Sequence, residues 1–331
     1  MRYLVTGGAG FIGSNFVRFL LRERPDTEIV NLDALSYAGN RNNIADIMDD
    51  PRHVFIHGDI CDPDTVAGAI EGIDVVVNLA AETHVDRSIH SDTHFVRTNV
   101  LGTAALLAAA VSSDVVRFIQ VSTDEVYGEL LWVDPDDRVS STLRFTEDTP
   151  LAPRSPYSAS KAAADHLTLA YHVTHGLDVI VTRCSNNYGS NQHPEKLIPL
   201  MITRALQELP LPLYGDGLNV RDWIHVRDHC RGLLAATEYG KPGRVYNLGG
   251  DTERTNVSVV KEILGILDRP ADLIQYVQDR PGHDRRYAIN SSRARSELGW
   301  EPLTDFASGL RDTVDWYATN QDWWENLDST D

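Results

Sequence analysis

A tyrosine and a lysine four residues apart, Tyr157 and Lys161, form the pair in this sequence best suited to acid–base chemistry. Pro156 precedes the tyrosine, and proline is favoured in the first helical turn, so we predict that a helix begins here. Residues four apart share a helix face, so the ammonium can lie near the phenol and stabilise its phenolate. A phenol, whose ordinary pKa is about 10, acts as a base near neutral pH only with such help. The pair predicts a catalytic base, although a surface tyrosine and lysine can share this spacing.

A glycine-rich turn, Thr6-Gly7-Gly8-Ala9-Gly10-Phe11-Ile12-Gly13, lies near the N-terminus between a strand-like run and a helix-like one. Glycines at these spacings let the backbone turn tightly and approach a pyrophosphate, which binds at the helix N-terminus. Asp33 ends the second predicted strand, where a carboxylate binds ribose hydroxyls and repels a 2′-phosphate. We therefore predict a site for NAD rather than NADP. The alternative is a tight turn followed by an ordinary helix cap.

Two further strand ends are expected beside the same site. Asp59-Ile60 ends the third predicted strand and could contact an adenine, although an aspartate at a strand end is often a helix cap. Leu79-Ala80-Ala81-Glu82-Thr83 ends the fourth strand, and its small residues lie beside the expected path of the cofactor.

These groups can act together only if the fold brings the ends of several strands to one place. The pattern of apolar residues along the chain predicts such a fold. Short apolar runs alternate with helix-like segments at 3–5, 29–32, 53–56, 75–77, 118–121 and 179–181. Strands separated by helix-length connections indicate βαβ units and an α/β fold with a doubly wound parallel sheet, Rossmann-like in character. Thr123-Asp124-Glu125 directly follows the fifth strand, at the sheet edge where such folds place chemistry.

The pattern changes after about Arg183, and we predict two domains. Residues 1–184 bind the dinucleotide, and residues 185–331 form a smaller mixed α/β domain, with some crossing of the chain between the two. Helices are predicted in the second domain at 196–208, 225–238, 256–267, 291–298 and 306–319, with a strand at 245–248. The segment 132–149 is predicted to be an exposed loop.

Composition predicts an ordinary globular protein, with 42% apolar and 24% charged residues. The net charge of −18 repels nucleic acid and anionic lipid, so we expect neither as a partner. An anionic substrate must then meet a local cluster of positive charge. Because Cys61, Cys184 and Cys230 lack metal-ligand spacing, we expect no metal site and no disulfide framework. We find no signal peptide and no span of about 20 apolar residues, and we expect a cytoplasmic protein.

Several motifs together resemble the dTDP-glucose 4,6-dehydratases, a family within the extended short-chain dehydrogenase/reductase superfamily. Thr123-Asp124-Glu125 with Tyr157 and Lys161 is similar to their active site, whereas relatives such as the 4-epimerases lack the adjacent Asp-Glu pair. The resemblance covers nearly the whole chain and includes the segments 33–40 (DALSYAGN), 84–88 (HVDRS), 186–189 (NNYG), 193–199 (HPEKLIP), 213–217 (LYGDG) and 279–284 (DRPGHD).

The resemblance implies a hydro-lyase with tightly bound NAD that oxidises dTDP-glucose at C4, eliminates water across C5–C6 and returns hydride to C6, giving dTDP-4-keto-6-deoxyglucose. It implies that Tyr157, assisted by Lys161, takes the 4-hydroxyl proton while Thr123 positions that oxygen. Glu125 would remove the C5 proton, and Asp124, held protonated, would donate to the leaving 6-hydroxyl. Adjacent carboxyl groups suit this chemistry because one must take a proton and the other must give one. The dipeptide alone would also fit a loop cap beside a solvated acid.

Matching motifs imply the remaining site residues. NAD contacts are expected at Gly7, Gly10, Phe11, Ile12, Gly13, Asp33, Ala34, Leu35, Ser36, Asp59, Ile60, Leu79, Ala80, Ala81, Thr83, Thr98, Tyr157, Lys161 and Asn187. The nucleotide-diphosphate sugar is expected at Thr83, Thr123, Asn186, Lys196, Leu197, Pro212, Leu213, Tyr214, Arg221, Asn256, Asp279, Arg280 and His283. Lys196, Arg221 and Arg280 would bring positive charge to the diphosphate, although each alone more commonly forms a surface salt bridge. His193 and His225 are expected to be structural.

The resemblance also implies a homodimer in which helices at Leu101–Val111 and Ala162–Tyr171, rich in small apolar residues, form a four-helix interface. The alternative is that these faces pack on the sheet. Competing functions are another nucleotide-sugar 4,6-dehydratase, a 4-epimerase of the same fold, or a non-catalytic NAD-binding scaffold. The Asp-Glu pair argues against an epimerase, which has no leaving hydroxyl to protonate. The intact catalytic set argues against a scaffold.

Overall fold

Twelve strands are found in the computed structural model, which describes residues 1–90, 92–134, 142–279 and 281–327. The strands are β1 (Arg2–Thr6), β2 (Glu28–Asp33), β3 (His53–His57), β4 (Val75–Asn78), β5 (Arg117–Thr123), β6 (Val179–Cys184), β7 (Asn186–Tyr188), β8 (Leu211–Tyr214), β9 (Val220–His225), β10 (Arg244–Leu248), β11 (Glu253–Thr255) and β12 (Ile274–Val277).

Twelve α-helices lie within the same described ranges. They are α1 (Phe11–Glu23), α2 (Pro63–Ala69), α3 (Val85–His90), α4 (Asp92–Phe95), α5 (Thr103–Ser112), α6 (Pro156–His175), α7 (Leu197–Leu206), α8 (Val226–Tyr239), α9 (Asn256–Ile266), α10 (Ser292–Leu298), α11 (Phe306–Thr319) and α12 (Gln321–Glu325). A π-helical segment, Val96–Gly102, joins α4 to α5. Residues 135–141 of the predicted loop lie outside the described residues.

The central sheet contains seven parallel strands in the order β3-β2-β1-β4-β5-β6-β10. Every residue of β4 and of β6 is buried, as expected for strands covered on both faces. Helices α1 and α8 pack together on one face, and α2, α5 and α6 pack on the other. The apolar stripe of α1, formed by Phe16, Val17 and Leu20, is fully buried in the core. The predicted doubly wound Rossmann-like fold is confirmed.

The strand order reverses direction between β1 and β4, which are neighbours in the sheet although β2 and β3 separate them in the chain. The crossovers from these two strands leave toward opposite sides, so a crevice opens beyond their carboxyl ends. Thr6 ends β1 and Thr123 ends β5, and both therefore lie along this crevice. The fold places the glycine turn and the Asp124-Glu125 pair at one edge of the sheet.

The C-terminal part builds a second layer over this edge. Strands β7, β9 and β11 form a three-stranded sheet, and β8 pairs with β12. Their core includes residues of α7, α9 and α11, such as Ile202, Val260 and Leu310, which are fully buried. The helices predicted in this region are all present within two residues of their predicted bounds. The five short strands were not predicted, because their three to six residues pair with partners distant in sequence.

Strand β10 corrects one expectation, because it belongs to the first sheet and not to the smaller domain. It pairs in parallel with β6, with Val245 opposite Val181. Helix α8, which precedes it, covers the first sheet beside α1. The chain therefore returns to the dinucleotide domain after residue 184, as the predicted chain crossing allows.

One helix among the described residues, Asp92–Ser112, has the length and mean hydropathy (21 residues, 1.4) of a membrane span. The expectation that no such span exists is wrong by this measure. Length and composition alone are weak evidence, because a buried core helix passes the same test. This helix packs against α2 and α6, and its Leu106, Leu107 and Ala110 are fully buried.

Candidate active site

The glycine turn brings the backbone of β1 against the start of α1. Gly7 has a φ of +69°, which favours glycine, and a Cβ there would lie 2.7 Å from the Ala80 backbone nitrogen. A Cβ on Gly13 would lie 2.1 Å from the Gly7 carbonyl oxygen, so the helix can pack here only without a side chain. Gly10 caps α1 without a side-chain bond, so the first N–H groups of the helix remain available to an anion.

A cavity of about 450 Å³ extends from this turn to the catalytic residues. Every predicted NAD contact except Leu35 lines it, from Gly7 and Asp33 at one end to Tyr157 and Lys161 at the other. Leu35 lines a neighbouring cavity of about 610 Å³, and its backbone N–H donates to Asp33 Oδ1 at 2.8 Å. The cavity joins a phosphate-binding turn, a strand-end carboxylate and a catalytic pair, so its residues fit an extended dinucleotide.

Asp33 sits at the end of β2 with both carboxylate oxygens held by backbone. Oδ2 accepts from the Ala9 N–H at 2.8 Å, and Oδ1 accepts from Leu35. Burial raises the pKa of Asp33, and these backbone donors oppose that rise. Each oxygen keeps a further lone pair, so the carboxylate can still accept bonds from ribose hydroxyls.

Asp59 lies at the far end of the cavity and is not a helix cap; Asp62 caps α2 instead. Its Oδ1 accepts from the Cys61 N–H at 2.8 Å, and its Oδ2 lies 3.2 Å from the Arg97 guanidinium. Arg97 therefore lines the cofactor cavity and neutralises a neighbouring acid.

Tyr157 and Lys161 lie on the first two turns of α6, which begins where the sequence predicted. Ser155 and Ser158 form a reciprocal capping box, and Pro156 occupies the first turn. Burial and the nearby Glu125 raise the pKa of Tyr157 well above its ordinary value, so the phenol is neutral in the free protein. Lys161 Nζ donates to the Val121 carbonyl oxygen at 2.7 Å. The expected contact between this ammonium and the phenol stays a prediction.

Thr123, Asp124 and Glu125 begin a 3-10 turn at the end of β5. Thr123 caps the turn, accepting from the Glu125 N–H, and its hydroxyl donates to Asp124 Oδ1 at 3.3 Å. Asp124 is 1% exposed, and its Oδ2 has no hydrogen-bond partner within the described residues. Burial, then the negative charges of Glu125 and Asp222, raise the pKa of Asp124 well above its ordinary value. These effects favour the protonated form of Asp124, which lies beside a second carboxyl group that lines the same cavity.

Four of the predicted substrate residues line this cavity: Thr83, Thr123, Asn186 and Lys196. Lys196 Nζ donates to the Thr83 carbonyl oxygen at 3.1 Å, so one cation faces the catalytic end. The Asn186 side-chain oxygen is buried without a hydrogen-bond partner in the described part of the chain, and is available to a ligand.

The other predicted substrate residues lie on elements of the second layer and do not line the cavity. They are Leu197 on α7, Pro212, Leu213 and Tyr214 on β8, Arg221 on β9, Asn256 at the start of α9, and Asp279 and His283 after β12. Arg221 nevertheless reaches the catalytic end, because its charge lowers the pKa of Asp124. Arg280 lies outside the described residues.

Several residues that line the cavity were not predicted as site residues, and three of them are ionisable groups within segments named above: Glu82, His193 and Glu195. Glu195, on the segment before α7, lies 3.3 Å from His84 Nε2 and 3.6 Å from Lys196 Nζ. His193, expected to be structural, also lines the cavity, as does Glu82. For Glu195, the signal available in the sequence was its position next to Lys196, a predicted substrate residue. His225 does serve structure, since its side chain caps α8.

Comparisons with known proteins agree with this site. A family model described as GDP-mannose 4,6 dehydratase matches residues 4–313. The dTDP-glucose 4,6-dehydratase of Actinoplanes sp. is 50% identical over 98% of this chain and 100% of that protein. The protein of the same name from Streptomyces griseus is 53% identical over 98% of this chain and 96% of its own. The crystal structure of DesIV, a dTDP-glucose 4,6-dehydratase from Streptomyces venezuelae with NAD bound, shares 49% identity and a TM-score of 0.94, covering 99% of this chain and 100% of that one.

These matches extend over nearly the whole chain, and the family match runs from residue 4 to residue 313. It therefore spans the segments that carry the glycine turn, the Asp-Glu pair and the tyrosine–lysine pair. The chain belongs to the dTDP-glucose 4,6-dehydratase family of the extended short-chain dehydrogenases/reductases.

Proposed function

We propose that this chain is an NAD-dependent dTDP-glucose 4,6-dehydratase that converts its substrate to dTDP-4-keto-6-deoxyglucose and water. One observation carries the proposal above all. Asp124 is a buried carboxyl group whose pKa is raised by burial and by the neighbouring Glu125, and it lines the same cavity as Tyr157 and Lys161. Oxidation alone needs one base, but loss of water also needs a proton donor for the departing hydroxyl.

The residues divide the proton transfers among them. Tyr157 takes the proton of the sugar 4-hydroxyl, and Thr123 holds that oxygen. A neutral phenol can do this only beside positive charge, which Lys161 supplies from the next turn of α6. Glu125 takes the C5 proton, which the new 4-keto group acidifies, and Asp124 protonates the leaving 6-hydroxyl. NAD, when bound, would supply the hydride acceptor and donor that makes the net reaction redox-neutral, and C5 is reprotonated when hydride returns to C6.

The substrate's diphosphate needs local cations in a chain of net charge −18. Lys196 and Arg221 supply this positive charge near the catalytic end of the cavity. Arg221 is 5% exposed, lies over the Tyr287 ring at 4.5 Å and donates to the Asp284 carbonyl oxygen at 2.9 Å. A guanidinium fixed in this way is preorganised for an anionic oxygen.

The test is to incubate the purified protein in parallel with dTDP-, UDP-, GDP- and CDP-glucose. A 4-keto-6-deoxy product is followed by its ultraviolet absorbance in alkali and by mass spectrometry. We expect rapid conversion of dTDP-glucose and little of the others. Preference for another nucleotide would favour a different dehydratase, an epimerised hexose would favour a 4-epimerase, and no product from any sugar would leave only a cofactor-binding scaffold.

A homodimer is part of the same proposal. Helix 92–112 exposes or half-exposes Leu101, Ala104, Ala108 and Val111 at helical spacing, and Leu101 is 60% exposed. Helix α6, which packs beside it, exposes Ala170 and Val173. Neighbouring stripes of small apolar residues suit close packing against a second pair of helices.

Light scattering coupled to size-exclusion chromatography tests the dimer. The unaltered protein should have twice the chain mass at micromolar concentration, and Leu101→Glu should shift it toward monomer. Val54→Glu, at a valine that is 52% exposed on β3 and away from the stripes, is the matched control. A monomeric unaltered protein would refute the dimer.

A further inference from the structure

Helix α6 carries a third ionisable residue on the face of its catalytic pair. Tyr157, Lys161 and Asp165 follow one another at intervals of four, and residues at this spacing lie one above another on a helix. Asp165 is fully buried and Lys161 is 4% exposed. The proton transfers proposed above do not use Asp165. A buried carboxylate one turn from a catalytic lysine needs another explanation.

The Asp165 carboxylate is held from the neighbouring strand. Arg183 Nε, on β6, donates to Asp165 Oδ2 at 2.9 Å. The same guanidinium donates to the Tyr127 hydroxyl at 2.9 Å and lies 4.8 Å from the centre of its ring. Tyr127 in turn donates to Asn247 Oδ1 on β10 at 2.8 Å. This chain of contacts fixes the carboxylate relative to two strands of the central sheet, β6 and β10, and to the 3-10 turn after β5.

Charged and titratable groups near Lys161 lie on α6 itself, on β6 and at the end of β5. Burial lowers the pKa of Lys161, and Asp165 on its own helix is the largest group opposing that fall, followed by Cys184 on β6. Arg183 on β6 is a second buried cation close by. Glu125 and Asp124, at the end of β5, act on Tyr157 from the other side. Tyr157 itself is neutral, and Val121 offers only a carbonyl oxygen.

We propose that Asp165 is a positioning residue for catalysis: it is the buried counterion that keeps the Lys161 side chain charged and aligned beneath Tyr157, with Arg183 anchoring it to the sheet. This inference rests on the proposed dehydratase reaction only for the role of Tyr157. The ion pair of Asp165 with Arg183 gives the geometry. Without the carboxylate, Arg183 would lose its ion-pair partner, and Lys161 would lose the negative charge one helical turn away.

Loss of the Asp165 charge should shift the pH dependence of kcat in a definite direction. An arginine does not lose its proton in a protein, so the buried lysine must respond to the loss of a shared anion. Its neutral form is then favoured, and the neutral amine cannot stabilise a phenolate. We expect Asp165→Asn to move the basic limb of the kcat profile down by about one pH unit or more, a tenfold change in the protonation equilibrium. KM should change less than kcat, because Lys161 acts on the reacting oxygen.

The experiment compares Asp165→Asn with Asp165→Glu, which keeps the charge, and with Tyr127→Phe, which removes the other hydrogen bond of Arg183. A second readout does not depend on turnover. A small amine-reactive reagent modifies only neutral amines, so the pH dependence of Lys161 modification, quantified by mass spectrometry, reports its charge. We expect both profiles to shift in Asp165→Asn and to stay in place in Asp165→Glu and Tyr127→Phe.

Two results would overturn the inference. One is an Asp165→Asn variant whose kcat and Lys161-modification profiles are not shifted along the pH axis. The other is an equal shift of both profiles in Tyr127→Phe, which would mean that Asp165 has a purely structural role. If Asp165→Asn does not fold, the double variant with Arg183→Gln removes the unpaired cation. It should show a smaller shift in the same direction, because Lys161 still loses the negative charge of Asp165; an unshifted double variant would also overturn the inference. Absence of dehydratase activity in the unaltered protein would refute the proposed function, while the modification profile would still decide this point.

Discussion

Replacing Asp124 by asparagine should separate water loss from oxidation. The amide is nearly isosteric and can still accept the hydrogen bond from Thr123, so the 3-10 turn should keep its geometry. It cannot donate an acidic proton to the leaving hydroxyl. A positioned general acid is worth about 10²–10⁴-fold, and because Asp124 is fully buried, water cannot readily take its place. We expect elimination to slow by about 10³-fold, equivalent to about 4 kcal/mol of barrier.

The assay is a single turnover with dTDP-glucose, quenched at short times. Product is measured by its alkaline absorbance, and cofactor reduction by its own near-ultraviolet absorbance. Asp124→Asn should reduce the cofactor at nearly the normal rate and accumulate it, whereas Tyr157→Phe should block reduction. If both variants proved equally slow to reduce the cofactor, with Asp124→Asn folded and binding substrate, the assignment of Asp124 to elimination would be wrong.

Three further predictions follow from the same site. Glu125→Gln should slow exchange of the C5 proton with deuterated solvent, measured by mass spectrometry; unchanged exchange would move the base elsewhere. NAD should bind far more tightly than NADP because Asp33 faces the ribose, and equal affinities by calorimetry would contradict this. Burial raises the pKa of Asp222 to about 7, so folding favours its protonated form and stability falls as pH rises from about 4 toward 7. Asp222→Asn should therefore stabilise the protein at pH 7, on the order of a few kcal/mol, with no gain near pH 3; an equal effect at both pH values in urea unfolding would refute the argument.

Local sequence signals predicted much of the fold and the reacting groups. The glycine turn, the strand ends and the Tyr157 helix follow from short-range rules, since backbone clearance, apolar periodicity and proline geometry act over a few residues. The family resemblance supplied the list of expected NAD contacts, and almost all of them line one cavity. Leu35 was the exception and lines the neighbouring cavity instead. The cavity that its side chain faces depends on the path of the loop after Asp33.

What sequence could not predict depends on contacts between distant segments. The short strands β7, β8, β9, β11 and β12 carry too few residues for a periodic signal. The approach of Glu195 to His84 could not be predicted from the sequence. The resemblance implied a protonated Asp124, but the burial that raises its pKa is visible only in the structure. A carboxyl group's protonation state is a property of its surroundings, and those surroundings come from residues far along the chain.

The return of the chain to the first sheet has a consequence for synthesis. Arg24, the residue after α1, pairs with Glu238 on α8, which lies 214 positions later in the chain. Strand β10 ends at residue 248, so the first sheet is complete only when the chain has reached that residue. A ribosome that has released only the first 184 residues has therefore delivered an open sheet with an unpaired edge at β6 and an uncovered face beside α1. Such a nascent chain exposes apolar surface and strand hydrogen-bonding groups while residues 185–248 are added. The first sheet can be completed only after residue 248 has been made, later than in a dinucleotide domain built from contiguous sequence.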